Sequence, residues 1–383
     1  MSVLRDVDVR PDPREVDRIS PSALNRLLEC PKRLAYGRDD STREWQRPTT
    51  RTALGIVAHG LTEAVARGDG RLAGEDLTGW LQATWEDLVA KQVVQLQSAW
   101  PGRQVPPAPS WPGYAVTKVR LIRGLARRVP WQATPAQRPA GQPAAMAGGE
   151  PPLPWVERRL EDVGSRLFGT PDRVEEVNGR LRVVDLKSGV GQHAVKDSQL
   201  RQLLVYASLV RSRLGRLPDD VVVLDIKGQE QAIAVDASAV DAVISMSAAA
   251  VDGFNNSLAS APGAEARPAP QTCRWCEFRV VCGDYWVARG SDWPTANDVA
   301  GVVVSITNPY VELRSIDGSG DRRLVLTGSE QPAVGDAVLA VDVEPAGFET
   351  CRTRWNSRVR VLPLAERAAN PGASSVAFRT VGG

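Results

Sequence analysis

Apolar residues recur along this chain with two different periods, and the change of period divides it. Up to about residue 128 the repeat is helical. "ISPSALNRLLECPKRLAYGR" opens on Ser20 and Ser22, either suited to cap a helix, and Leu24, Leu27 and Leu28 then form one apolar stripe. "RTALGIVAHGLTEAVARG" and "LTGWLQATWEDLVAKQVVQLQSAW" carry the same periodicity. A Pro-rich stretch after Trp100 reads as loop, and "TKVRLIRGLARRV" follows as a basic helix. Residues 133–154, rich in Pro, Ala and Gly, read as a flexible insertion.

From Trp155 the alternation becomes that of strands. "WVERRLEDV", "RLFGTPDRVEEV" and "RLRVVDLKSG" are expected strands, the last two joined by the turn pair Asn178-Gly179. "SQLRQLLVYASLVRSRL" returns to a helix, "DDVVVLDIKG" to a strand, and "ASAVDAVISMSAAAVDGFNNSLAS" to a helix that leads into a Cys-bearing segment. Beyond about residue 295 short alternating strands with Gly, Pro and Asn turns predict a small β-barrel, OB-like, over 295–365. The Ala/Gly/Ser-rich end, 366–383, is an expected disordered tail.

Composition narrows the partners more than the fold. At 383 residues there is room for two or three domains and a sizeable core. A net charge of +2 hides 47 basic and 45 acidic residues, so any nucleic-acid site must be a local basic groove. No uninterrupted apolar run approaches the roughly 20 residues of a membrane span, and "MSVLRDVDVRPDPREVDR" has no apolar signal core. A cytoplasmic protein without a membrane partner is expected. Five cysteines are too few for a disulfide scaffold and are left for metal or redox work.

The chemistry concentrates around the Asn-Gly turn. Asp185 and Lys187 are two apart on a strand and share a face. The hairpin can bring Asp172 alongside. Converging carboxylates resist ionisation unless a cation sits between them, and hard oxygen ligands suit Mg2+ or Mn2+. A nearby Lys can act on a water or stabilise charge on a phosphate. The plainer alternative is a surface hairpin with a cross-strand ion pair. Asp225 and Lys227 repeat the D-x-K letters without an acidic hairpin partner and read as a decoy.

"TPDRVEEVNGRLRVVDLKSG" resembles the strand-turn-strand signature of the PD-(D/E)xK nuclease superfamily in its RecB-like branch. "QLRQLLVYA" matches that branch's Q-x-x-x-Y helix at Gln202 and Tyr206, and "ALGIVAHGLTEA" resembles the helix delivering a metal-binding histidine, here His59. Glu157 in "WVERRL" falls where relatives carry an acid. The resemblance spans roughly residues 18–290 and implies a restriction-endonuclease-like α/β core, a mixed sheet flanked by helices, with an N-terminal helical part. It implies that Asp172, Asp185, the Leu186 carbonyl and His59 hold the metal. Lys187 would act on the attacking water, and Gln202 and Tyr206 would face substrate or brace the strand. Read without the resemblance, His59 is equally a half-buried histidine, Gln202 a strand cap and Tyr206 a core residue.

"CRWCEFRVVC" sets Cys273, Cys276 and Cys282 in C-x-x-C-x5-C spacing, and Cys30 in "LLECPKRLAY" is a distant fourth ligand for a tetrahedral or cubane site. This resembles the [4Fe–4S] staple of AddB-like nucleases and CRISPR-associated exonucleases; Zn2+ is the competing occupant. Either would clip the ends of the nuclease unit together. Cys351 reads as an ordinary cysteine. The barrel is either a single-strand platform built on Tyr310, Phe348, Trp355 and its arginines, or a docking module.

The expected function is a metal-dependent DNA nuclease, an exonuclease on single strands or free ends, in repair, recombination or anti-phage defence. The alternative is a nucleic-acid-binding accessory subunit of a helicase or defence complex. An Fe–S redox protein is disfavoured, because it has no use for the carboxylates.

Overall fold

Five helices come first, each with a local reason to start or stop. In a computed structural model that describes residues 8–69, 76–128, 151–187, 195–259 and 264–363, they are α1 (Pro21–Glu29), α2 (Pro31–Arg38), α3 (Thr50–Arg67), α4 (Leu77–Ala99) and α5 (Tyr114–Arg128). Ser20 caps α1 by accepting from the Ala23 N–H, Thr49 caps α3 from Thr52, and Gly68 ends α3 in the left-handed region at φ 87°. The insertion before residue 151, His193 and the expected tail lie outside the described residues.

The strands then build a five-stranded mixed sheet ordered β1-β4-β5-β6-β7. Its members are β1 (Trp155–Val156), β4 (Arg173–Val177), β5 (Arg180–Lys187), β6 (Asp220–Asp225) and β7 (Glu230–Ala234). Asn178 (φ 53°) and Gly179 (φ 75°) make the tight turn that pairs β4 antiparallel with β5. The helix α6 (Asp197–Leu214) carries the chain over so that β5 and β6 run parallel, with Asp185 opposite Val223. Two of the expected long strands are broken. "WVERRLEDV" splits into β1 and β2 (Leu160–Asp162) at Glu157, whose φ is 47°. "RLFGTPDRVEEV" splits into β3 (Leu167–Gly169) and β4 at Thr170-Pro171-Asp172, where proline has no ladder N–H to give. β2 and β3 form their own ribbon.

One face of the sheet, with Leu181 and Val183, packs against α1, α6 and α7 (Ala237–Leu258) in the largest core. By length and composition α7 is apolar enough to cross a membrane, although its run is not uninterrupted. It places Val240, Val243, Val251 and Phe254 in that core. The other face carries Val184, Leu186, Val222 and Leu224, and β1 there approaches α3. Helices α3, α4 and α5 share a second core around Trp85 and Trp100.

The cysteine segment, with α8 (Pro270–Cys273) and α9 (Gly283–Ala288), shares its core with the C-terminal strands through Phe278, Trp286, Leu339 and Val341. Those strands are β8 (Val299–Thr307), β9 (Tyr310–Ser315), β10 (Arg322–Val325), β11 (Ala337–Val341), β12 (Glu344–Gly347), β13 (Thr350–Arg352) and β14 (Arg358–Leu362). They run in the order β12-β13-β10-β9-β8-β11-β14. The region is all-β as expected, and among the described residues no ladder joins β12 to β14. Trp355 does not project as a stacking surface. Its ring meets Trp100 edge-on at 5.7 Å, and Arg358 and Arg360 are buried.

Candidate active site at the sheet end

Three elements deliver ligand atoms to one point. α3 carries His59, the end of β1 carries Glu157, and the residue before β4 is Asp172; one ligand atom from each lies within 4.8 Å of the others. Backbone pairing does part of this work, because the Glu157 N–H donates to the Asp172 carbonyl at 3.1 Å. The positive φ of Glu157 re-aims its side chain, a conformation rare for a non-glycine residue and concentrated at functional sites. Asp172 Oδ2 accepts the Leu186 N–H at 2.5 Å, which ties it to β5, while Oδ1 stands 3.4 Å from His59 Nδ1.

Asp185 and Lys187 form the second half of the site. Asp185 Oδ2 lies 2.6 Å from Lys187 Nζ, and Lys187 donates to Gln202 Oε1 at 3.2 Å. Gln202 Nε2 in turn donates to Asp185 Oδ1 at 3.0 Å and to the Tyr206 hydroxyl at 3.1 Å. Gln202 and Tyr206 are one turn apart on α6, so both address the strand at once. The fit is tight around Tyr206: a Cβ at Gly169 would stand 2.7 Å from its ring. Gln202 therefore braces the catalytic-type strand rather than capping a distant one, and Tyr206 is both core and network.

The electrostatics follow from crowding acids in a partly closed space. Burial first, then the Asp172 and Glu63 charges, push Glu157 up to about 7, and His59 offsets part of this. Burial also drives Asp185 upward; Lys187 opposes it and Asp172 adds to it. Burial works against a charge on His59, but the hydrogen bond and charge of Asp172 outweigh it and hold the imidazole above its ordinary value. Burial raises the Tyr206 phenol well beyond neutrality, so it serves as a hydrogen-bonding group.

A cavity of about 340 Å³ is lined by His59, Glu157, Asp172 and Leu186, together with Thr62 and Glu63. Neither Thr62 nor Glu63 is among the residues expected from the sequence. Their signal was present, since they follow His59 by three and four residues and share its helix face. One nitrogen and carboxylate oxygens form a donor set that fits Mg2+ or Mn2+. The apparent decoy is explained: Asp225 Oδ1 accepts the Lys227 and Gln229 N–H groups, both at 2.8 Å, so that carboxylate holds a turn.

Cys30, Cys273, Cys276 and Cys282 line a separate cavity of about 360 Å³ beside Lys32 and Arg33. All are free thiols, and no three of their sulfurs lie within 4.8 Å of one another. Burial pushes Cys276 up to about 12 and raises Cys273 and Cys282, so a cation would be needed to keep thiolates there. Cys351 is buried elsewhere, its Sγ–H directed at the Asn297 carbonyl.

Comparison with known proteins follows the same outline. No curated protein matches the chain. Among solved structures, SSO0001 is similar at 12% identity and a TM-score of 0.30, over 70% of this chain and 87% of that one, a likeness too loose to carry an argument. Residues 18–283 match the PD-(D/E)XK nuclease superfamily, well over half the chain. On that match the chain belongs to the PD-(D/E)XK nuclease superfamily, whose members are metal-dependent nucleases.

Proposed function

We propose that the chain hydrolyses phosphodiester bonds in DNA, on single strands or at free ends, as a RecB-like member of its superfamily. The observation that carries this is the convergence of His59, Glu157 and Asp172 beside the Asp185–Lys187 pair. Two carboxylates and an imidazole in such proximity repel or share protons unless a cation joins them. His59, Glu157 and Asp172 would hold a divalent ion, with Asp185 and the Leu186 carbonyl completing its shell. When bound, the ion polarises a phosphate oxygen and lowers the pKa of a water.

The remaining work falls to the protein's own groups. Lys187, held by Asp185 and Gln202, directs its ammonium N–H bonds to the attacking water and the non-bridging phosphate oxygens, where negative charge grows. Gln202 keeps Asp185 facing the site and fixes the Lys187 rotamer. Glu157, holding the ion through one carboxylate oxygen, has its second oxygen to take the proton the water loses.

The four cysteines are assigned a structural [4Fe–4S] cluster. A tetrahedral zinc site with Zn–S bonds of about 2.3 Å sets its sulfurs roughly 3.8 Å apart. A polynuclear occupant is read instead from the resemblance carried by the C-x-x-C-x5-C spacing with its distant Cys30, all four cysteines lining one cavity. Protein isolated without oxygen should be brown and contain iron and sulfide; colourless protein with stoichiometric zinc overturns this assignment.

Incubation with Mn2+ and end-labelled linear, circular and duplex DNA tests the main reading. Cleavage of single strands or free ends is expected. DNA left intact with both Mn2+ and Mg2+ would favour the accessory-subunit alternative.

A further inference from the structure

A wider concavity lies away from the carboxylates. A groove of about 2170 Å³ runs between the start of α3, the cysteine segment and the C-terminal strands. Its walls hold seven arginines against two acids, Glu277 and Asp342. Both acids are already engaged: Glu277 pairs with Arg33 at 2.8 Å, and Asp342 with Arg279 and Arg358. What the groove offers to an incoming molecule is therefore positive.

Trp275 stands in this groove. It is 54% exposed, more open than any other described tryptophan; the rest are buried or half-buried. The guanidiniums of Arg51 and Arg274 each lie 4.7 Å from its ring centre. Both side chains are exposed and their charges face no carboxylate in the described structure. Two cations gathered at one ring repel each other, and an anion between them relieves that repulsion. The turn beneath is rigidly held. Arg33 donates to the Trp275 carbonyl at 3.0 Å, and Arg279 to the Arg274 and Cys276 carbonyls at 3.4 and 3.2 Å. Arg274 and Trp275 are the two residues between Cys273 and Cys276, so whatever joins those sulfurs also fixes their turn.

The groove also points somewhere. Arg51, Thr52 and Gly55 line it, and His59, Thr62, Glu63 and Ala66 line the carboxylate cavity. Spaced by three and four, these residues form a single stripe along α3. From Arg51 to His59 the stripe runs about 12 Å, the length of three or four stacked nucleotides.

We infer that this groove binds a single nucleic-acid strand, with a base stacked on Trp275 and phosphates on Arg51 and Arg274, and feeds it along α3 to the carboxylate site. The inference rests on the nuclease reading for the nature of the substrate, but the binding itself needs no divalent ion. The C-terminal region thus forms one wall of the groove through Asn356 and Arg358.

The test is anisotropy of a labelled oligodeoxythymidine in EDTA, titrated with the full chain over a range of salt. Trp275→Ala should weaken binding about tenfold and Trp275→Phe should restore most of it, since stacking needs only an aromatic face. Arg51→Ala with Arg274→Ala should lower the slope of log affinity against log salt by about 1.4, the share of two phosphates on a single strand. All three side chains are exposed, so the variants should melt like the parent. Unchanged affinity and slope in every variant would overturn the groove assignment, whatever the Mn2+ cleavage assay shows. Displacement by polyglutamate as effective as by DNA, and indifferent to Trp275, would overturn it in favour of an acidic protein partner. Lost binding in the variants of a protein that cleaves nothing would sink the nuclease reading and leave the groove standing.

Discussion

The carboxylate site and the cysteine cavity both bury groups that a cation would satisfy, yet they are built in opposite ways. At the carboxylates two of the three acids have a protein partner, Lys187 for Asp185 and His59 with the Leu186 N–H for Asp172, while Glu157 is crowded by Asp172 and Glu63. At Cys273, Cys276 and Cys282 burial keeps the thiols protonated. Their occupant would join residue 30 to residues 273–282, a very long loop. Emptying the first site should cost chemistry and little stability; emptying the second should cost stability first.

Lys187→Ala tests the first half most sharply. Cleavage with Mn2+ should fall by about 10³-fold, while the melting temperature moves little; cleavage equal to the parent's would remove Lys187 from the mechanism. Cys276→Ala should do the reverse, losing about 3 kcal/mol of stability in denaturant titration together with bound iron. A variant as stable as the parent would make the cavity dispensable. Gln202→Ala should reduce cleavage about 10- to 100-fold, because Asp185 and Lys187 lose their shared brace.

Acidity separates the sites further. Glu157 has a folded pKa near 7, above its unfolded value, so its protonated form favours folding. That contribution is complete below about pH 4.5 and is lost as pH rises through 7. Screened at this half-exposed position, it amounts to at most about 2 kcal/mol. Added Mn2+ should therefore raise the melting temperature more at pH 7.5 than at pH 5.5, and an equal rise at both would argue against Glu157 as a ligand. The smallest effect is expected from Asp225→Ala. It should cost about 1 kcal/mol or less of turn stability and leave cleavage unchanged; a large loss would mean that the decoy pair takes part.

Much of this was legible beforehand for local reasons. Asn178-Gly179 takes positive φ at both positions more readily than almost any pair, so the hairpin and the nearness of Asp172 to Asp185 follow from two letters. The stripes of α1, α3 and α6 were visible because burial of one helix face imposes a period. The breaks at Glu157 and Asp172 were less plain. The polar run Glu157-Arg158-Arg159 and Pro171 do interrupt the alternation, but only pairing of β1 with β4 shows where the ladder stops.

Sequence alone determined the elements, the D-x-K letters and the four cysteines worth watching, since propensity, turn chemistry and residue type are properties of short segments. Tertiary structure decided that Glu157 joins His59 and Asp172, that Asp225 serves a turn, and that Arg51 meets Trp275 across 224 positions. Those outcomes depend on distances between segments far apart in the chain, which packing sets and no local pattern encodes.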